Sequence, residues 1–537
     1  MTFDVLIRGG TVFDGSGAVG VRADVAIERG RVVAIEPGTA LTSAQAALVV
    51  DAVGRYVAPG FIDIHTHSDR SILINGRMES KIRQGVTTEV AGNCGSGVAP
   101  ALGPAAAQAD ASGEIAHENK TWPTMGAYFE EIERSGIAGN YCTWVGHGTL
   151  RASTVGYEMR PPTEDELEHM RRLLRESLEA GAFGFSTGLI YAPSGFAQTD
   201  EIAALAAVAR ESEGLYASHI RNESSKLLEA VGEAIEIGRR GGVPVQVAHH
   251  KASGRPNWGL VGQSLALMDR ARAEGVDVAC DQYPYVASST GLTSILPKWA
   301  LEGGRETIVA RLRDGETRAR LREEMLASRP DYAELREDQG WHGILIARCR
   351  GDRSVEGRRL GEVAVERNVD PFELAFDLLV ASDGTVPCIF FSMCEPDVRT
   401  VMGWAHTMIG SDASSVAPYG PLGEGRPHPR AYGTFARVLG RYVREQGVLK
   451  WEAALHKMTG QPAARLGLKQ RGFLRTGQWA DVVVFDPQTV QDEATFVEPH
   501  RFASGIDHVL VNGVPVVRNG EHTGATPGRV LRRGVDA

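Results

Sequence analysis

Gly241-Gly242-Val243-Pro244-Val245-Gln246-Val247-Ala248-His249-His250 reads as a helix break, a near-continuous apolar run and a polar end. That is the signature of a strand buried on both faces of a parallel sheet. A stretch with helical periodicity, from about residue 225 to 240, leads into it. The same order of helix, glycine, short apolar strand and polar residue occurs four times in succession between about residues 163 and 282. In the first unit Thr163 and Glu166 form a capping box and Leu167, Met170, Leu174 and Leu178 recur at helical spacing; Gly181 then stops the helix before a strand over 183–187. The second helix starts near Thr199, buries Ile202, Leu205 and Val208, and stops at Gly214 before a strand that ends in His219. The fourth runs over 264–274, breaks at Gly275 and yields a strand over 276–280 followed by Asp281. Alternation of this kind defines an α/β fold.

Similar apolar runs at 61–64, 86–90, 141–145 and 407–409 bring the strand count to eight. Eight is what a closed (β/α)8 TIM-like barrel requires, and in such barrels the working residues sit at the carboxyl ends of the strands. A doubly wound open sheet is the alternative that pattern alone leaves. The two ends of the chain differ, with short alternating strands and turns in residues 1–57 and again in 472–537. Val5-Leu6-Ile7-Arg8-Gly9-Gly10-Thr11-Val12 and Val509-Leu510-Val511-Asn512-Gly513-Val514-Pro515-Val516 share one frame. The expectation is a small β-sandwich built from both termini, flanking a barrel over 58–471. About 125 residues separate the seventh and eighth strands, far more than a βα connection needs. An insertion is expected there at about 288–340, with a charged helical run over 306–327.

Acidic residues outnumber basic ones by 67 to 57, giving a net charge of −10, which provides no basic field for nucleic acid. There is no apolar run of membrane-spanning length, and residues 1–10 read as charged and strand-like rather than as an export signal. A soluble, cytoplasmic protein with neither a nucleic-acid nor a membrane partner is expected; the sequence is silent on oligomeric state. The six cysteines contain no C-x-x-C pair, so buried thiols are the default for each.

The chemistry begins at Asp63-Ile64-His65-Thr66-His67, where residues two apart on a strand point the same way and two imidazoles converge. Cys94 lies just past the second strand, His219 ends the fifth, His249 the sixth and Asp412 the eighth. Five strand ends thus present six metal-type ligands to one face. Imidazole, thiolate and carboxylate together suit zinc, which takes four such donors and can leave one position for water.

With these residues in place, the chain resembles the amidohydrolase superfamily and, within it, the N-acyl-D-amino-acid deacylase (D-aminoacylase) family. The resemblance covers nearly the whole length. It rests on Pro59-Gly60-Phe61-Ile62-Asp63-Ile64-His65-Thr66-His67, Gly92-Asn93-Cys94-Gly95, Ser186-Thr187-Gly188-Leu189, Ser218-His219-Ile220-Arg221, His249-His250-Lys251, Gly410-Ser411-Asp412 and the run from His428 to Phe435. It implies zinc-dependent hydrolysis of an N-acyl-D-amino acid. Cys94, His219 and His249 would hold the tight zinc, and His65, His67 and Asp412 a second, weaker position. Asp412 would be the catalytic proton carrier. Strand phase does not choose between His249 and His250; the family motif places its ligand two residues before the lysine, which is His249.

Superfamily relatives such as hydantoinases and dihydroorotases bridge two metals with a carboxylated lysine on the fourth strand. This chain has no lysine between Lys120 and Lys226, so its fourth strand cannot offer one, and the resemblance to the deacylases implies Cys94 as the replacement. Hydrolysis of a cyclic amide or of a D-residue dipeptide is the alternative activity on the same scaffold. Lys251 is placed to meet a substrate carboxylate, and the resemblance adds Tyr283 and Ser289 to that task. Arg221 and Tyr191 are candidates for orienting substrate, with a salt bridge or packing at the barrel mouth as the competing role. His147 reads as structural or as a support behind the site, Arg430 can pair with a carboxylate, and Trp299 and Trp341 read as core packing, with the lining of an apolar acyl or side-chain pocket as the alternative.

Overall fold

A computed structural model describes residues 3–38, 41, 46–107, 120–327 and 340–536. Strands β1 (Phe61–Asp63), β2 (Val86–Ala91) and β3 (Asn140–Thr143) run parallel in that order. After Trp144, β3 resumes as Val145–Gly146 and pairs with β4 (Gly184–Gly188). From there β5 (Leu215–His219), β6 (Val245–Val247), β7 (Val278–Gln282) and β8 (Thr407–Ile409) continue the parallel order. Trp144 N donates to Ala91 O at 3.0 Å and Phe183 N to Thr143 O at 3.0 Å, stitching the broken strand to both neighbours. On the far side Asp412 N donates to His65 O at 2.8 Å and Thr66 bridges Ala413, which ties the end of β8 to the end of β1. These are the eight strands of the (β/α)8 fold.

The helices form for the reasons the sequence supplies. Thr163 accepts from the Glu166 amide at 3.3 Å while Glu166 accepts from the Thr163 amide at 2.7 Å, a complete capping box ahead of helix Glu164–Glu179. Helix Leu227–Gly241 ends at left-handed Gly242, with φ of 68°. A Cβ on Gly238 would lie 2.1 Å from Val245 Cγ2, so that glycine lets the helix sit directly on β6.

Strands from both ends of the chain share one nine-stranded sheet, in which Ile506–Val511, Val482–Phe485, Tyr56–Pro59 and Phe3–Val12 are successive neighbours. The two segments with the shared frame therefore lie in one sheet, separated by two strands. Ile7, Val25, Val57, Val482 and Leu510 are buried in its core. Tyr56–Pro59 passes through Gly60 straight into β1, anchoring the strand that carries His65 and His67.

Between β7 and β8, Ser288–Gly291, Ile344–Ile346 and Pro387–Phe390 make an antiparallel three-stranded sheet, so the inserted unit reaches Phe390 rather than stopping near 340. The closing strands are three and four residues long, too short for periodicity to register. The expected charged run is two helices, Gly304–Arg313 and Gly315–Ala327, and residues 328–339 of the expected insertion lie outside the described residues. Trp299 and Trp341 pack against this unit's own core rather than in the main one. Among the described residues, no helix is long and apolar enough to cross a membrane.

Candidate active site

The carboxyl ends of the strands bring most of the expected ligands to one point. Donor atoms of His65, Cys94, His249 and Asp412 all lie within 4.8 Å of one another, and all four residues are buried. Cys94 Sγ is 3.4 Å from His65 Nε2 and 3.4 Å from His249 Nε2. His67 joins through Asp412, its Nε2 lying 3.0 Å from Oδ1. His219 Nδ1 is 2.8 Å from His249 Nε2, and His219 and His249 form a second donor group with Glu223. The grouping therefore cuts across the expected division, with Cys94 beside His65 and Asp412 as well as His249.

Backbone shape explains how strand ends aim these side chains inward. Cys94, His249 and Asp412 have φ of 53°, 36° and 51°, a left-handed conformation that costs non-glycine residues energy. The loop bearing Cys94 presses on β4 so closely that a Cβ on Gly188 would sit 2.1 Å from Cys94 O. β4 reads Gly-Phe-Ser-Thr-Gly and carries no lysine; Ser186 Oγ accepts from the Gly95 amide at 3.0 Å.

The charges in the cluster balance one another. Burial opposes the His65 imidazolium, but Asp281 and the Cys94 thiolate outweigh it and raise its pKa to about 10. Burial and Lys251 disfavour a charge on His249, yet Glu223 and Cys94 carry it up to about 9. Burial favours a neutral Cys94, but His249 and His65 hold the thiol well below its usual range. For Asp412 burial again favours the neutral form, and Arg430, His249 and His65 overcome it, keeping the carboxylate ionised. Burial, followed by the charge on His249, lowers His219, whose Nε2 is enclosed without a hydrogen-bond partner.

Two acidic residues orient the imidazoles from behind. His65 Nδ1 meets Asp281 Oδ1 at 2.9 Å, which turns Nε2 toward Cys94. His249 Nδ1 meets Glu223 Oε1 at 3.0 Å, which turns its Nε2 the same way. A carboxylate behind each imidazole is the usual support of metal-binding histidines. His250 points elsewhere, with Nε2 2.8 Å from Ser264 Oγ.

A cavity of about 410 Å³ opens over the cluster, bounded by the barrel mouth and the inserted unit. Lys251, Tyr283, Ser289, Tyr191 and Arg221 all line it. Lys251 Nζ donates to Glu223 Oε1 at 2.5 Å and lies 5.8 Å from the centre of the Tyr283 ring. Tyr191 Oη is 2.9 Å from Thr290 Oγ1, and its ring stands edge-on to His219. Arg221 is held at 2.8 Å by both oxygens of Glu233 and donates to the carbonyls of Gly195 and Ala197, so its guanidinium fastens the cavity wall. His147 bonds Ser194 and Glu201 inside the protein, as a structural residue does. Sequence reasoning missed Glu223 and Asp281 as partners. Glu223 stands four residues after His219, and that spacing is the one signal that could have found it. Arg430 pairs with Asp412 itself, its Nη1 2.7 Å from Oδ2.

Comparison with known proteins gives matches over nearly the whole chain. The model of the amidohydrolase family matches residues 48–517. D-aminoacylase from Alcaligenes xylosoxydans xylosoxydans is 39% identical over 533 residues, covering 99% of this chain and 98% of the relative. N-acyl-D-glutamate deacylase from the same organism is 39% identical over 530 residues, covering 99% and 96%. Among solved structures, N-acyl-D-glutamate deacylase from Bordetella bronchiseptica superposes with a TM-score of 0.84 at 37% identity, covering 99% of this chain and 100% of the neighbour. That neighbour is complexed with zinc and a phosphonate inhibitor that mimics the tetrahedral intermediate.

Proposed function

The chain belongs to the amidohydrolase family, and from its site we infer a metal-dependent hydrolase that cleaves the amide bond of N-acyl-D-amino acids, giving a carboxylic acid and a free D-amino acid. The observation that carries this reading is the convergence of His65, Cys94, His249 and Asp412 within 4.8 Å at the floor of an open cavity. The relatives named above supply the D configuration and the acyl group.

The donor set fits zinc. Two imidazole nitrogens, His219 Nδ1 and His249 Nε2, 2.8 Å apart, with a thiol held toward thiolate and an ionised carboxylate, are groups that a divalent ion satisfies. Cys94, His219 and His249 would hold the tighter ion, and His65, His67 and Asp412 a second, weaker one. Bound there, zinc acidifies water and polarises the amide carbonyl.

The protein's own groups do the rest. Asp412, ionised beside Arg430, takes the proton of the attacking water and delivers it to the departing amine nitrogen. His67, in contact with the same carboxylate, keeps its oxygen aimed into the cavity. Lys251, with Tyr283 and Ser289 on the adjoining wall, receives the substrate's α-carboxylate. That interaction fixes one end of the substrate and leaves the side chain toward the inserted unit, where Ile295, Leu301, Ile308 and Phe390 line the cavity and favour neutral, apolar D-residues. All six cysteines are free, which suits work in the reducing cytoplasm.

Ser186 and Thr187 on β4, in place of a bridging lysine, weigh against cyclic-amide chemistry. The test is to present N-acetyl-D-methionine, a hydantoin and a D-residue dipeptide to the zinc-loaded protein. The N-acyl amino acid should turn over at least tenfold faster; faster hydantoin or dipeptide cleavage would replace this reading.

A further inference from the structure

The Asp63-Ile64-His65-Thr66-His67 stretch contains a buried acid that neither the metal nor the substrate claims. Asp63 is fully buried and pairs with Lys81, also fully buried, at 2.8 Å. Lys81 is one of eight lysines in the chain. Its ammonium has three donors, and each is spent at one place: Asp63 Oδ2, Ser411 Oγ and, at 2.9 Å, Ala413 O. Ser411 and Ala413 are the residues on either side of Asp412. Asp63 uses its other oxygen to accept from the Ser411 amide at 2.8 Å and from the His65 amide at 3.3 Å.

Asp412 needs such a grip. Its φ of 51° is a conformation that a non-glycine residue leaves unless its surroundings hold it. β8 itself ends at Ile409; beyond it the Asp412 amide is bonded to His65 O at 2.8 Å, which holds one side of the residue but does not fix its flanks. An ion pair between groups removed from water is also poor economy for stability alone, since two apolar residues of similar volume do as well. Its placement on both flanks of one strained aspartate gives the pair a second task.

We propose that Lys81, with Asp63, is a positioning residue for catalysis, clamping residues 411 and 413 so that the Asp412 carboxylate stays aimed at the reacting centre. It touches neither substrate nor metal and works through the backbone of Asp412. The proposal rests on Asp412 being the proton carrier of the deacylase reading, and the experiment separates the two.

Lys81→Met alone strands a buried carboxylate and can fail to fold. The informative variant is therefore Lys81→Met with Asp63→Asn, which removes both charges and keeps the side-chain oxygen facing Ser411. Ile82→Ala serves as the comparison, a fully buried neighbour in the same short helix that makes no bond to 411–413. Zinc content, melting temperature, kcat and KM on N-acetyl-D-methionine, and amide hydrogen exchange at 410–414 are measured for all three proteins. The double variant should bind zinc and keep KM within twofold. Its kcat should fall about 100-fold, the cost of a displacement near 1 Å at a reacting group, and exchange at Ser411 and Asp412 should rise at least tenfold. Ile82→Ala should melt lower with kcat and exchange at 410–414 near those of the unaltered protein. A double variant with kcat within threefold of the unaltered enzyme, or with unchanged exchange, overturns the proposal. A kcat loss in Ile82→Ala as large as in the double variant also overturns it. If the unaltered protein is silent on the substrate, the deacylase reading fails, and exchange at 410–414 alone decides whether the clamp exists.

Discussion

Replacing Arg430 by methionine should reveal how much of the site's stability lies in one ion pair. Arg430 Nη1 sits 2.7 Å from Asp412 Oδ2, with side-chain exposures of 3% and 9%. Charge centres about 4 Å apart attract by about 4 kcal/mol at an effective dielectric of about 20. Losing one partner of such a buried pair costs about 3–5 kcal/mol, at the low end here because His65, His67 and His249 still face Asp412. Removing both, as Arg430→Met with Asp412→Asn, removes the pair whole, so its loss should be no larger than that of one single variant. The coupling energy from the double-mutant cycle should then be about 3 kcal/mol. The assay is urea unfolding of the metal-free proteins, followed by tryptophan fluorescence, because a bound cation would replace the missing guanidinium. Additivity of the two single losses to within about 0.5 kcal/mol would refute the reasoning, since that is how residues without a shared interaction behave.

Three further outcomes follow from the same geometry. Burial, resisted by Lys81 and reinforced by Asp63, raises the Glu89 pKa from 4.5 to about 7. The folded protein therefore prefers Glu89 protonated, and the stability this confers is complete below about pH 4.5 and is lost as the pH rises through 7. The difference is about 3 kcal/mol, so Glu89→Gln should flatten that component when melting is compared at pH 5.5 and 8. Lys251→Met should raise KM for N-acetyl-D-amino acids about 10- to 100-fold, the worth of a charged hydrogen bond, with kcat much less affected in steady-state kinetics. Cys94→Ala should lose most bound zinc by elemental analysis while its circular dichroism stays that of the parent.

Where a residue's own side chain and its local spacing decide the outcome, the sequence is legible. The capping box at Thr163 and Glu166, the glycine stops and the apolar runs of β4 to β7 obey local rules, and the structure follows them. The residues that converge at the barrel mouth are legible for the same reason, because each stands at or just past the end of a readable strand. Partnerships across the barrel are not. Asp281 behind His65 joins residues 216 positions apart, and Arg430 reaches back to Asp412 from a helix after the last strand. The left-handed backbone of Cys94, His249 and Asp412 is likewise invisible, since no glycine marks it. Arg221 is a further case. Of its two candidate tasks, orienting substrate or a salt bridge at the barrel mouth, the bond to Glu233, twelve residues on, is the one local spacing could not specify, and the side chain still lines the cavity. Lys251 faces the cavity as expected, already paired with Glu223, and the spacing of basic residues alone could not show that.

The most direct measurement is amino-acid release from paired N-acetyl-D- and N-acetyl-L-methionine by the purified protein, with zinc removed and then restored. Release from the D substrate alone, abolished by chelation and recovered on adding zinc, is the result this account predicts. Equal release from both enantiomers would contradict the stereochemical claim, and silence on both with zinc bound would contradict the account as a whole.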